Sequence, residues 1–285
     1  MRLTYMDSEY GVLSVVGWED EGTTLVVSTF NMEVAMEDQR LYKIGVVQKH
    51  FNNTKTNGDN QHGRLVGTTE SPITVSSVKA VPLSQAIDST FDEDSKCRYF
   101  TRFKQSSNTI RYVGGTAESL WAYCDGQDVA VPLTQDYVGT SKSPQIYTTK
   151  AGTKYLFFLS DRANVDGNGW MPATMNLWAA PLPKVYKSPA TDKMARPVKL
   201  TSISCIDGMS LQEFAIDTAN SNIVLRIGAD LHSLSASEVE DALSQQSVNS
   251  FSLPPQRLRI AIYSDFNNLH ERIIPLSNPS DVNNI

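Results

Sequence analysis

Residues 143–182 read SPQIYTTKAGTKYLFFLSDRANVDGNGWMPATMNLWAAPL, and this stretch decides the fold of the chain. It holds two short apolar runs joined by a turn at Gly152, and a third run that follows a polar loop. Turn residues bound each run, which indicates short strands rather than helices. The run 155–159 does not alternate between apolar and polar residues. It therefore predicts a strand whose two faces are both covered by neighbouring sheets.

The same unit recurs along the chain. A leucine followed by an aromatic residue occurs at 41–42, 120–121 and 177–178, and a weaker leucine–histidine copy occurs at 231–232. Each pair follows two runs of strand-forming residues and precedes a closing one. Repetition of this kind is typical of β-propellers, in which each blade is a sheet of four antiparallel strands. We therefore predict an all-β fold, a β-propeller with about four four-stranded blades.

We assign residues 1–285 to a single propeller domain. The predicted blades cover approximately residues 11–83, 84–134, 141–201 and 208–264, with loop insertions at 48–76 and 235–256. The second insertion contains Ser237-Glu238-Val239-Glu240, a pattern that predicts the start of a short helix ending near residue 246. Residues 2–5 resemble a closing strand without the rest of its blade, so we expect the chain to begin partway through a blade.

Composition and charge exclude several classes of protein. The net charge is -6, and lysine and arginine are scattered, which argues against nucleic-acid binding. No apolar run approaches the ~20 residues of a membrane span, and no signal peptide is evident, so we expect no membrane association. Cys97, Cys124 and Cys205 lack metal-type spacing. We interpret them as reduced thiols of a cytoplasmic protein.

The sequence offers no recognisable catalytic set. The four histidines, none in a metal-binding or nucleophile motif, are His50, His62, His232 and His270. Asp161, Asp166 and Asp192 lack the alternation of oxygen ligands that a calcium loop requires. We therefore predict no catalytic residue, no metal site and no cofactor in this chain.

Several motifs, among them Val15-Val16-Gly17-Trp18 in the first blade, together resemble the N-terminal six-bladed propeller of tricorn-type proteases. The resemblance covers nearly the whole chain. The most specific is the Gly-Gly-Thr segment at 114–116, which precedes a Leu-Trp strand. The Ser-Asp-Arg and Asn-Leu-Trp segments are shared with other propellers, including those of the TolB type. The resemblance implies a structural role for these residues: Gly114, Gly115, Thr116, Leu120, Trp121, Ser160, Asp161, Arg162, Asn176, Leu177 and Trp178.

The resemblance also implies a function. The chain would be the last four of six blades, an N-terminally truncated portion of a tricorn protease homologue, which is a cytosolic hydrolase that degrades oligopeptides. Its propeller would be non-catalytic and would control peptide access or product exit, with the serine nucleophile in downstream peptidase domains of a homo-oligomer. The alternative is a freestanding TolB-like scaffold that binds a protein partner. A propeller hydrolase with its own site is a third hypothesis.

Overall fold

The computed structural model describes residues 12–30, 39–48, 73–105, 112–162, 174–182, 194–201, 210–244 and 256–258. Within them, sixteen strands form four antiparallel four-stranded sheets, arranged as the blades of a β-propeller. The predicted all-β propeller class is therefore confirmed. The described residues form four blades, as predicted for this chain, whereas the complete propeller that the resemblance implies has six. The predicted strand at 2–5 and residues 49–72 of the first insertion lie outside the described residues.

Each blade takes four strands in sequence order. Blade 1 contains β1 (Val12–Glu19), β2 (Thr24–Phe30), β3 (Gln39–Gln48) and β4 (Ile73–Ala80). Blade 2 contains β5 (Ala86–Asp92), β6 (Cys97–Arg102), β7 (Ser119–Cys124) and β8 (Val131–Pro132). Blade 3 contains β9 (Ser141–Thr148), β10 (Lys154–Ser160), β11 (Asn176–Pro181) and β12 (Val198–Lys199). Blade 4 contains β13 (Leu211–Ile216), β14 (Ile223–Ile227), β15 (Asp230–Leu234) and β16 (Gln256–Arg257).

Strand β10 is buried on both faces, as the sequence predicts. Leu156 and Phe158 pack with apolar residues of blade 2, whereas Phe157 and Leu159 pack with those of blade 4. All four side chains are fully buried. Because successive residues of a strand point to opposite faces, this one run supplies the core of two interfaces.

The repeated leucine–aromatic pair has a constant orientation. Leu120 packs towards blade 3 and Trp121 towards blade 1. In the next blade, Leu177 packs towards blade 4 and Trp178 towards blade 2. The leucine therefore packs in the interface with the following blade, and the aromatic residue packs in the interface with the preceding blade.

Apolar clusters join blade 1 to blade 2, blade 2 to blade 3, and blade 3 to blade 4. A further cluster lies on the other face of blade 1, and no described residue of blade 4 belongs to it. Its buried members are Leu25, Val27, Ile44 and Val46. Among the described residues, the apolar packing therefore follows the order of the chain.

The predicted short helix is present as α1 (Ala236–Ser244), but it begins earlier than its predicted capping pattern. The backbone N–H of Ser235 donates to Glu238 Oε2 at 2.9 Å, and the N–H of Glu238 donates to Ser235 Oγ at 3.4 Å. Two overlapping Ser-x-x-Glu patterns occur here, and the structure uses the first. That start lets Val239 and Leu243 pack into the core shared by blades 3 and 4.

Cys97 and Cys124 form a disulfide, so the interpretation of all three cysteines as reduced thiols is wrong. The two residues are directly opposed in the β6–β7 pair, with Cα atoms 3.9 Å apart. Directly opposed residues of antiparallel strands hold their side chains together on one face of the sheet. Spacing along the sequence does not reveal this register, and Cys205 lies outside the described residues.

Trp178 should be critical for stability, because its side chain is fully buried between blades 2 and 3. Trp178→Ala is expected to lower the free energy of unfolding by ~3–5 kcal/mol. Urea denaturation of the variant and its parent measures this loss. Trp121→Ala is the matched control and should cost less, because Trp121 is only half-buried. Equal losses would contradict the burial difference.

The disulfide should also stabilise the fold. Cys97 and Cys124 are separated by 27 residues, and closing such a loop stabilises a domain by about 3.5 kcal/mol on the chain-entropy estimate. Denaturation with and without reductant measures this difference. Iodoacetamide should label only Cys205 in the denatured, unreduced chain, and all three cysteines after reduction. Labelling of Cys97 before reduction would disprove the bond.

Candidate functional site

The first strands of the four blades surround a central cavity of about 640 Å³. These strands, β1, β5, β9 and β13, are each the edge strand of their sheet, and all four contribute residues to its lining. Ligand-binding pockets in proteins typically occupy ~300–1,000 Å³. The central cavity is therefore the candidate functional site.

An ion-pair group joins blades 1 and 2 beside the central cavity. Glu19 ends β1, and its carboxylate lies 2.6 Å from Arg98 Nη1 and 2.8 Å from Lys43 Nζ. Burial acts to raise the pKa of Glu19, but the hydrogen bonds and charges of Arg98 and Lys43 outweigh it and hold that pKa below its usual value. The charge of Glu19 is thus fully compensated by protein groups.

A second ion pair links blades 2 and 3. Lys142 Nζ lies 3.2 Å from Glu118 Oε2, and the backbone N–H of Gln105 donates to Glu118 Oε1 at 3.2 Å. The backbone N–H of Ser141 also donates to the carbonyl oxygen of Glu118 at 2.8 Å. Both carboxylate oxygens of Glu118 therefore have partners. The ion pair with Lys142 and the backbone hydrogen bond from Ser141 hold the start of β9 against blade 2.

Asp88, on β5, is the least compensated carboxylate of the central cavity. Its Oδ2 accepts a hydrogen bond from Ser143 Oγ at 3.3 Å, and no ion pair to it occurs among the described residues. Burial, and then the negative charge of Glu118, raise the pKa of Asp88 above its usual 3.8, against the opposing effects of Ser143, Lys142 and Lys104. This carboxyl group therefore keeps its proton to a higher pH than an exposed aspartate does.

The blade 1 wall of the central cavity is apolar and accessible. Val15 and Trp18 are 65% and 55% exposed, respectively, and both line the cavity. Large exposed apolar side chains that line a concave surface are characteristic of binding sites. The cavity thus combines an apolar wall on β1 with a carboxylate on β5.

The predicted Ser-Asp-Arg motif does not line the cavity. It lies at the buried end of β10, where Asp161 Oδ1 accepts hydrogen bonds from the Tyr137 hydroxyl at 2.9 Å and the Thr140 backbone N–H at 2.8 Å. Burial raises the pKa of Asp161, although these hydrogen bonds oppose the shift. Ser160 Oγ donates to the carbonyl oxygen of Thr140 at 2.9 Å. The motif therefore fixes the connection between blades 2 and 3.

Arg162, the last residue of the Ser-Asp-Arg motif, packs against the same connection between blades 2 and 3. Its side chain is fully buried, and Nη1 donates to Asp136 Oδ2 at 3.3 Å. The guanidinium also lies 5.0 Å from the ring centre of Tyr137 and 5.6 Å from that of Trp178. Arginine side chains stack favourably on aromatic rings. Arg162 thus holds the same connection against the interface of blades 2 and 3.

The Gly-Gly-Thr segment forms an exposed loop before β7. A Cβ atom on Gly114 would meet the Tyr112 hydroxyl at 2.5 Å, whereas one on Gly115 would meet nothing within 4 Å. The carbonyl oxygen of Thr116 accepts a hydrogen bond from Gln105 Nε2. Because Gln105 lines the central cavity, the segment contacts the cavity wall without forming part of it.

The remaining motif residues belong to β7 and β11. Leu120, Leu177 and Trp178 are fully buried. Asn176 Oδ1 accepts a hydrogen bond from Thr201 Oγ1 at 3.0 Å, and the same hydroxyl oxygen accepts one from the Leu177 backbone N–H at 2.9 Å. None of the eleven residues to which the resemblance gives a structural role lines the central cavity, whereas residues 15–18, which also belong to the resemblance, do line it.

The sequence pattern does not single out the charged residues of the cavity, chiefly Asp88, Glu118 and Lys142. They lie on or beside the first or third strands of blades 2 and 3. Their position in the repeat is therefore the one feature of the sequence that could have indicated the cavity. A charged residue on a strand has the same appearance in a sequence whether it faces bulk water or a cavity. Only the arrangement of the blades distinguishes the two.

The described residues contain no group of three or more His, Cys, Asp or Glu side chains that could hold a metal ion. His232 lies half-buried on β15, while the other histidines, Asp166 and Asp192 fall outside the described ranges. In the part of the chain that the structure describes, no helix is long and apolar enough to cross a membrane.

No protein-family model matches this chain, and no curated protein is significantly similar to it. The similarity to tricorn-type propellers therefore stays a prediction that depends on the motif residues alone. The central cavity provides the independent basis for inferring a function.

Asp88 should make stability depend on pH. A carboxyl group whose pKa is raised in the folded state lowers the free energy of unfolding at high pH. The loss begins near the usual pKa of 3.8 and is complete above the raised pKa. Asp88→Asn should remove this decrease, so the variant should be more stable than its parent at pH 7 and not below pH 3.8. Urea denaturation across this pH range measures the effect.

Asp92 is the matched control for this experiment. Burial acts to raise its pKa, but hydrogen bonds from Lys154 and Ser95 outweigh burial and lower that pKa. A lowered pKa contributes stability at neutral pH that is lost on acidification. Asp92→Asn should therefore be less stable than the parent at pH 7. If both variants lose stability there, the assigned environment of Asp88 is wrong.

Proposed function

We propose that this chain is the non-catalytic propeller region of a tricorn-like serine peptidase, in which it controls peptide access or product exit. The supporting observation is the central cavity of about 640 Å³, which lies among the edge strands of four sheets. Its walls present peptide groups, charged side chains and apolar side chains. An oligopeptide needs these three kinds of contact to bind.

Size is the proposed basis of selection. Strands lie ~4.8 Å from their neighbours, sheets pack ~10 Å apart, and each strand residue advances the chain by ~3.4 Å. On these spacings, the central cavity holds about four extended residues. A folded domain of 100 residues has a radius of gyration of ~13 Å and is too wide to enter. The propeller would therefore admit unfolded oligopeptides and exclude folded proteins.

In this proposal the chemistry belongs to other parts of the protein. The partners of the propeller are the peptides that pass through or along it, together with downstream peptidase domains in a homo-oligomer. It requires no cofactor. Its contribution to proteolysis is to determine which chains reach the peptidase or leave it.

The disulfide bears on where such a protein would function. A tricorn-like peptidase is expected in the cytoplasm, but disulfides are rare in that reducing compartment. The bond between Cys97 and Cys124 favours an oxidising compartment instead. Thiol labelling of the chain taken from its natural source, without added reductant, distinguishes the two locations.

The second candidate function is a TolB-like scaffold that binds a folded protein. Val129 and Val138 favour it, because these apolar side chains are 57% and 54% exposed and do not line the central cavity. A scaffold of this kind would bind its partner on an outer surface. Oligopeptides would then neither bind in the central cavity nor compete with that partner.

The purified chain should bind fluorescently labelled oligopeptides without cleaving them. Gly17 lines the central cavity, and a Cβ atom there would meet nothing within 4 Å. Gly17→Trp should therefore fill part of the cavity without a clash and lower peptide affinity roughly tenfold or more, about 1.4 kcal/mol or greater. Fluorescence anisotropy measures the affinity, and mass spectrometry of the recovered peptides detects any cleavage.

Gly115→Trp is the control substitution, since Gly115 is exposed, is equally free of neighbours and does not line the cavity. It should leave peptide affinity unchanged. If both variants bound the peptide with the affinity of the parent, the central cavity would not be the peptide-binding site. A folded chain that binds no oligopeptide would favour the scaffold. Cleavage that a substitution within this chain abolished would overturn the non-catalytic assignment.

A further inference from the structure

We propose that the inner edge of β1 is the peptide-binding edge of the central cavity, and that it pairs with an extended peptide carrying a basic side chain. This inference rests on the proposed function and specifies how the peptide is held. In such β-strand addition, backbone hydrogen bonds provide affinity and alternate side chains provide specificity.

The first argument is the chemistry of the four inner edges. Edge strands are usually protected against pairing by charged residues or proline. Three of the inner strands contain such residues within the strand: Asp88 in β5, Lys142 and Pro144 in β9, and Glu213 in β13. The stretch 12–18 of β1 reads VLSVVGW and contains none before Glu19. Among these strands, β1 alone has a stretch of this length without a charged residue or proline. Register shifts occur in the pairing of all four strands, two of them in β1, and so do not distinguish a protected edge from an open one.

The second argument is the pairing of β1. Its sheet has the order β1-β2-β3-β4, so β1 pairs with β2 on one side and with no other described strand. In antiparallel pairs, alternate residues direct their peptide groups away from the partner strand. Those groups of β1 therefore face the cavity. By contrast, β9 is already held at its inner edge, where the Ser143 N–H donates to Thr101 Oγ1 at 3.0 Å.

The third argument is shape. The edge of β1 faces a cavity that holds about four extended residues, so a single strand can enter and a second folded copy of this chain cannot. Val15 and Trp18 lie along this edge with 65% and 55% of their surfaces exposed. They offer apolar contacts to the side chains of an inserted strand.

Charge complementarity specifies a basic side chain on the peptide. Among the carboxylates that line the cavity, Glu19 is paired with Arg98 and Lys43, Glu118 with Lys142, and Glu213 with Arg226. Asp88 alone has no ion pair among the described residues. It lies on β5, which packs beside β1. A lysine or arginine of the inserted strand can therefore reach an uncompensated carboxylate.

The experiment uses a labelled oligopeptide with one lysine, together with two versions N-methylated at alternate residues in opposite phases. N-methylation removes a backbone donor, so pairing with β1 predicts that one phase binds roughly tenfold more weakly and the other binds almost normally. Val15→Lys should weaken binding by a similar factor, because it protects the edge as Lys142 protects β9. Val129→Lys, at a 57% exposed position outside the cavity, is the matched control.

The Asp88→Asn variant tests the charged contact. It should bind the lysine peptide about two- to fivefold more weakly and a norleucine version unchanged. Since this substitution is expected to stabilise the fold, unfolding cannot account for a loss.

The outcomes separate the inference from the proposed function. Equal binding of both N-methylated peptides, or unchanged binding to Val15→Lys, overturns pairing with β1 and leaves the proposed function standing. No binding of any oligopeptide overturns both. Binding that appears only after the segments 1–11 and 259–285 are removed would mean that the chain itself occupies the edge, which also overturns the inference.

Discussion

A β-strand turns successive side chains to opposite faces, and in the middle strands of this chain both faces must be buried. The rest of the structure depends on this constraint. A single sheet cannot satisfy it, and two packed sheets satisfy it for one face only. A series of sheets satisfies it for every inner member, as β10 and β11 do between blades 2 and 4. Among the described residues, the first strand of each blade then has no strand partner on its inner side, and these four strands line the central cavity.

The sequence predicts the blades because their burial is encoded locally. The apolar run 155–159 and the repeated leucine–aromatic pair each contain the two-faced pattern within a few residues. The disulfide and the cavity depend instead on relationships between distant residues. Cys97 meets Cys124 because of strand register, and Asp88 faces a cavity because four blades surround it. No local pattern carries that information. The eleven residues to which the resemblance gives a structural role, conversely, lie outside the cavity lining.

Charges in the structure separate into two groups. Glu19 and Glu118 each meet cations from a neighbouring strand or blade, and their hydrogen bonds fix the blades against one another. Among the described residues, Asp88 accepts a hydrogen bond from the Ser143 hydroxyl but forms no ion pair, and burial raises its pKa, so its ionised form costs stability. A carboxylate kept at such a cost is a candidate functional group, because perturbed pKa values cluster at functional sites. This contrast is why the proposed peptide contact involves Asp88.

The fixed orientation of the leucine–aromatic pair has an evolutionary consequence. Leu120 and Leu177 serve the following blade, and Trp121 and Trp178 serve the preceding one, so every such blade has a leading and a trailing surface. A duplicated blade inserted in tandem would meet complementary surfaces on both sides without any new interface. Repeat architectures depend on nearest-neighbour contacts of this kind. Gene duplication could thus change the number of blades in such a protein, while recombination that reversed or interrupted a blade would not be tolerated.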